Sequence, residues 1–113
     1  MAVAPISNPG TTAGSGAFPS LVLVQGSDQR SLPLIHSPFT VGRKVDKDLV
    51  IADPRVSRDH AQIVHEAGVY WIIDQGSKHG TFVNGERIEQ RLLEDGDRIQ
   101  VGPHLLVFVP AAE

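Results

Sequence analysis

Thr81-Phe82-Val83-Asn84-Gly85-Glu86-Arg87-Ile88 decides how this chain is read. Two β-favouring segments flank Asn-Gly, the dipeptide that best tolerates the positive φ angles of a type I′ turn, so the stretch is a tight antiparallel hairpin. Downstream, Asp95-Gly96 supplies a second turn ahead of Arg98 to Val101, and Leu105 to Val109 is a continuous apolar run of the kind found in buried strands. Upstream, Ala61 to His65 and Val69 to Ile73 flank Glu66-Ala67-Gly68. That hairpin is expected to put Ile63, Val69, Trp71 and Ile73 on one face, with Trp71 anchoring the core. Phe39-Thr40-Val41 is a short strand ending at Gly42. Leu21 to Val24 is a first strand, buried on both sides, whose expected partner is Leu32 to Ile35. Pro33 cannot donate to a ladder, which puts that partner at a sheet edge. Short strands cut by turn residues, with no competing helical period, predict an all-β sandwich.

The chain has 113 residues, room for one domain with one core. Residues 1–18 are rich in Gly, Pro, Ser and Thr, have little to bury, and read as a flexible tail; 19–110 form the domain and 111–113 a short C-terminal tail. A net charge of −3 gives no electrostatic footprint for nucleic acid, which calls for a basic face. The absence of cysteine removes a disulfide framework, a thiolate metal site and a cysteine nucleophile. No apolar run reaches bilayer-spanning length and the N-terminus lacks the pattern of a secretory signal. The expectation is a cytoplasmic module, monomeric as a domain, with no membrane or nucleic-acid partner.

Small polar punctuations stand at the predicted turns: Gly42-Arg43, Ser57-Arg58-Asp59-His60, and Gly80-Thr81. A guanidinium, a hydroxyl and free backbone N–H groups offered from neighbouring loops make a receptor for a doubly charged oxyanion, because each supplies a charge-assisted hydrogen bond. Phosphate carried by a partner protein is the first candidate.

These residues carry a family resemblance. Gly42-Arg43, Ser57-x-x-His60 and Asn84-Gly85 occur in order, with Asp48-Leu49-Val50-Ile51, Gly80-Thr81-Phe82 and Asp95-Gly96-Asp97-Arg98-Ile99 at matching intervals. From Leu21 to Val109 the chain resembles a forkhead-associated (FHA) domain, a β-sandwich that binds phosphothreonine peptides. The resemblance implies an FHA-like sandwich of two twisted antiparallel or mixed sheets, about eleven short strands, with the site loops at one end. It makes Arg43 the phosphate-binding arginine and Ser57 a direct phosphate ligand, with Arg58 contacting the phosphopeptide. His60 becomes a structural residue whose ring bonds to backbone, and Gly42, Gly80, Thr81, Asn84 and Gly85 shape the loops. At Lys78-His79 the chain departs from the Ser/Thr-Asn pattern common in the family. Lysine still offers cationic donors and histidine a ring N–H, so both stay among the expected phosphopeptide contacts. Arg55 stands where some relatives choose the residue three after the phosphothreonine, which implies an acidic preference. A threonine-methyl pocket, as in the family, would favour phosphothreonine over phosphoserine.

The implied function is phosphothreonine-dependent recognition of a protein partner in Ser/Thr-kinase signalling, with no enzyme activity, cofactor or metal. The alternative is an FHA-like module that binds an unphosphorylated partner or self-associates. Ser57 with His60 also suggests a hydrolase, but there is no Gly-x-Ser-x-Gly elbow. Asp46, Asp48 and Asp53 lack the central glycine and terminal glutamate of a calcium loop and read as loop solvation and turn bonds. His36, His65 and His104 have no ligand spacing. Thr11-Thr12 in the tail raises the idea of self-binding after phosphorylation. No acidic residue flanks the pair, and about nine residues to Leu21 reach at most roughly 30 Å.

Overall fold

A computed structural model describes residues 18–111. The tails 1–17 and 112–113, including Thr11 and Thr12, lie outside the described residues. Eleven strands follow one another: β1 (Ser20–Gln25), β2 (Asp28–Pro33), β3 (Phe39–Gly42), β4 (Leu49–Val50), β5 (Ala61–Glu66), β6 (Val69–Asp74), β7 (Thr81–Val83), β8 (Glu86–Ile88), β9 (Gln90–Leu92), β10 (Arg98–Val101) and β11 (His104–Val109). They form a six-stranded sheet in the order β2-β1-β11-β10-β7-β8 and a five-stranded sheet in the order β4-β3-β5-β6-β9. All pairings are antiparallel except β3 with β4. The all-β sandwich expected from the sequence is the architecture found. No described helix is long and apolar enough to cross a membrane.

One hydrophobic cluster fills the space between the sheets, drawing Leu21, Leu23, Ile99, Leu106 and Phe108 from one and Phe39, Val41, Leu49, Ile63 and Ile72 from the other. The Tyr70 and Phe108 rings meet across it with centroids 5.7 Å apart. Each fully buried aliphatic side chain of this kind contributes about 1.5–3 kcal/mol. The cluster therefore fixes the strand register, and the register fixes where the loops start. Ser20 pairs with Val109, so the described chain enters and leaves side by side on neighbouring strands.

The β5–β6 hairpin corrects one expectation. Its turn contains two residues, Ala67 (φ 53°) and Gly68 (φ 82°), with Glu66 paired to Val69 and Ile63 to Ile72. Counting Glu66 into the turn slips the register by one residue, and a one-residue slip reverses every side chain. Tyr70 and Ile72 therefore face inward, while Val69, Trp71 and Ile73 face out. Ile72 is fully buried and Val69 is 40% exposed. Trp71 is a half-buried residue of the outer face, opposite Val64 and Leu92.

The partner of β1 starts earlier than expected, at Asp28 directly after a Gly26-Ser27 turn, and Ile35 lies beyond it, exposed. Its edge position agrees with the reading of Pro33. The Asn84-Gly85 turn is as expected, with φ angles of 51° and 87° and Val83 paired to Glu86. The strand β9 went unread, because Gln90-Arg91-Leu92 has no alternation to announce it.

Candidate functional site

Three loops meet at one end of the sandwich: β3–β4 (43–48), β4–β5 (51–60) and β6–β7 (75–80). Backbone contacts join the first two. A Cβ on Gly42 would lie 2.1 Å from the Arg58 carbonyl oxygen, so only glycine lets β3 end against this loop. The N–H of Arg43 then donates to the Ser57 carbonyl at 3.0 Å, and the Ile51 N–H to the Gly42 carbonyl at 2.9 Å. An ion pair between Lys47 and Asp59 ties the same loops at their surface.

Arg43 is exposed, and its Nε donates to the Val56 carbonyl at 3.0 Å. That bond turns the guanidinium across the β4–β5 loop and leaves both Nη groups without a partner among the described residues. Ser57 is the junction of all three loops. Its carbonyl holds Arg43, its N–H donates to His60 Nδ1 at 3.1 Å, and its Oγ accepts the Lys78 N–H at 3.0 Å. Because the hydroxyl oxygen is accepting, its own proton remains free to donate.

His60 is completely buried. Its Nε2 lies 3.0 Å from the Gly80 carbonyl, which can only accept, while the Ser57 N–H can only donate to Nδ1. The ring is therefore the neutral Nε2–H tautomer. Desolvation by burial pushes its pKa below the usual imidazole range, against the opposing pull of the Gly80 carbonyl and Asp74. The Ser57 hydroxyl and the His60 ring are not bonded to one another, and the one nitrogen able to accept a proton already holds a backbone N–H.

The third loop is shaped by two residues that sequence reasoning missed. Asp74 accepts from the Gly76 and Ser77 N–H groups and from the Ser77 and Thr81 hydroxyls. Burial pushes its carboxyl pKa up, but these donors outweigh it and hold the pKa below the usual range. Ser77, itself buried, accepts the Gly80 N–H at 3.0 Å. Gly80 has φ +89°, and a Cβ there would meet the Arg87 side chain at 2.7 Å. The Asp74-x-Gly76-Ser77 pattern is an Asx-turn signal that was available in the sequence. Asp48 was also missed as a brace: it accepts from the Thr40 N–H and hydroxyl at 2.8 and 3.0 Å and pairs with His36 at 2.8 Å. Thr40 and His36 are too distant in sequence for pattern reading to join them to it.

The structure thus brings Arg43, Ser57, Arg58 and Lys78 to one end, where Arg58, Lys78 and Lys44 are exposed and have no carboxylate partner among the described residues. His79 is exposed beside them. Arg55 is close by but engaged on Asp53. Asn84 and Gly85 stand apart, at the far end of β7. There the Asn84 amide bonds Asp97 Oδ1 and the Arg98 N–H, so it shapes the β7–β8 turn and not the loop cluster.

A family model for the FHA domain matches residues 39–102, more than half of the chain. The chain belongs to the FHA domain family. It is 37% identical over 105 residues to the glycogen accumulation regulator GarA of Mycolicibacterium smegmatis, a match covering 88% of this chain and 66% of that protein. It is 35% identical over 105 residues to the oxoglutarate dehydrogenase inhibitor of Corynebacterium diphtheriae, covering 88% of this chain and 73% of the relative. Among solved structures it resembles Mycobacterium tuberculosis EmbR in complex with a low affinity phosphopeptide, with a TM-score of 0.76 and 35% identity over 83% of this chain. The chain spans only 25% of EmbR and just under two thirds of GarA.

Proposed function

We propose that the loop end of this FHA domain binds a phosphothreonine within an extended peptide of a partner protein, a recognition step in Ser/Thr-kinase signalling. The observation that carries this reading is the convergence of Arg43 and Ser57 through a backbone hydrogen bond, with the Nη groups of one and the hydroxyl proton of the other unspent. Arg43 anchors the phosphate, Ser57 donates to it, and Arg58, Lys78 and His79 contact the phosphate or the peptide around it. His60, Gly42, Gly80 and Thr81 hold the loops in position. The phosphopeptide bound by EmbR and the regulatory role in GarA's name support the assignment.

The module acts by binding and not by catalysis: His60 is sealed from Ser57 Oγ and cannot serve it as a general base. It works as a monomeric, cytoplasmic domain without a cofactor. A second reading, contact with an unphosphorylated partner or self-association, draws on the outer face of the five-stranded sheet, where Val64, Trp71 and Leu92 stand side by side. Calorimetric titration of matched peptides decides between them. A hydrogen bond to a charged group contributes about 1.5–3 kcal/mol, so Arg43→Ala weakens binding of the phosphorylated peptide about 10- to 150-fold without unfolding the domain. Unchanged affinity refutes the role of Arg43, and equal binding of both peptide forms favours the second reading.

A further inference from the structure

Beside the loop cluster, a pocket of about 310 Å³ is lined by Arg55, His79, Gly80, Phe82, Gly102 and Pro103. It adjoins the proposed phosphate site, because His79 and Gly80 belong to the β6–β7 loop that Ser57 holds through Lys78. The volume corresponds to about ten liquid-water volumes, enough for one large side chain. Phe82 and Pro103 give the pocket apolar walls. A free arginine on the rim would draw an acidic side chain.

Arg55 is not free. Its Nε donates to Asp53 Oδ1 and its Nη2 to Oδ2, each at 3.0 Å, and its backbone N–H adds a third bond at 2.8 Å. His104 Nε2 meets Oδ2 at 3.0 Å from the other side. Asp53 is only 9% exposed, and the Arg55 side-chain bonds, first among its partners, hold its carboxyl far below the usual range. It is therefore ionised throughout the physiological range. A peptide carboxylate approaching Arg55 meets a cancelled charge and a neighbouring anion that repels it. An apolar side chain meets neither obstacle.

We propose that Asp53 is a specificity-determining residue: by pairing with Arg55 it makes the Phe82–Pro103 pocket select a large apolar residue flanking the phosphothreonine in place of an acidic one. The inference rests on the phosphothreonine reading above and reverses the acidic preference that Arg55 alone implies. The test is calorimetry with a phosphothreonine peptide carrying Leu or Glu at each flanking position in turn, together with the unphosphorylated counterparts. At one position Leu binds about ten-fold or more tighter than Glu, the scale set by burying one aliphatic side chain. Asp53→Asn keeps an acceptor for the Arg55 N–H and removes the charge, so the gap at that position closes or inverts. Adding Arg55→Ala to Asp53→Asn restores it. If Asp53→Asn does not fold, Phe82→Ala carries the test by weakening the Leu peptide and sparing the Glu peptide. Glu equal to or better than Leu at every position, a gap unchanged in Asp53→Asn, or a Leu affinity unmoved by Phe82→Ala overturns the proposal while phosphate dependence stands. Loss of the difference between phosphorylated and unphosphorylated peptides overturns the underlying reading as well.

Discussion

Acidification should loosen this domain through His60 before it touches the carboxylates. The ring is fully buried with both nitrogens committed, and its pKa is depressed by desolvation. A histidine with a depressed folded pKa contributes stability that is complete above its unfolded value, about 6.5, and is lost between there and the folded value as pH falls. In that window the unfolded chain binds one more proton than the folded one, so stability falls by up to about 1.4 kcal/mol per pH unit. Protonation would also set a new Nδ1–H against the Ser57 N–H, two donors facing each other. Urea denaturation at a series of pH values from 7.5 to about 5, above the carboxylate range, reads the slope directly. His60→Gln retains a donor for the Gly80 carbonyl but orphans the Ser57 N–H. It should lose about 1–3 kcal/mol at pH 7.5 and flatten the slope. A variant with the wild-type slope would show that another group titrates and that the tautomer argument is wrong.

Two further substitutions probe the fold. Ile72→Ala should cost about 2–5 kcal/mol by opening the core, while Trp71→Thr on the outer face costs about 1 kcal/mol or less. Reversed magnitudes in thermal or chemical denaturation would mean that the β5–β6 register is misplaced. Asn84→Ala forces alanine into the left-handed region and removes two side-chain hydrogen bonds, for about 2–4 kcal/mol in total. Its phosphopeptide affinity, measured by calorimetry below the unfolding transition, should match wild type because the turn lies at the far end of β7.

Legibility in the sequence followed the range of the physics involved. The Asn84-Gly85 and Asp95-Gly96 turns were readable because turn geometry is a local steric matter. The loop residues Arg43 and Ser57 were readable as a pair only through the family motif, since nothing local joins residues that meet by backbone pairing across two loops. The β5–β6 register failed on one residue: Glu66 looks like turn material, yet Ala67 takes the positive φ that would ordinarily be assigned to Gly or Asn. Polar strands such as Asp28 to Ser31 form because a neighbour offers an open edge, and no side-chain pattern records that. Asp48 and Asp53 read as loop solvation and turn bonds in sequence, and Asp74 drew no reading there. In the fold each is saturated by donors, some from its own turn, as Gly76 and Ser77 at Asp74, and some from distant segments, as Thr40 and His36 at Asp48 and His104 at Asp53.

The pairing of Ser20 with Val109 has a practical corollary. Strands β7 and β11 begin, and β3 ends, at the loop pole, so β1 starts and β11 finishes at the opposite one. A fluorophore, affinity handle or neighbouring globule joined close to Ser20 or Val109 starts from the back of the molecule, away from the ligand-facing rim.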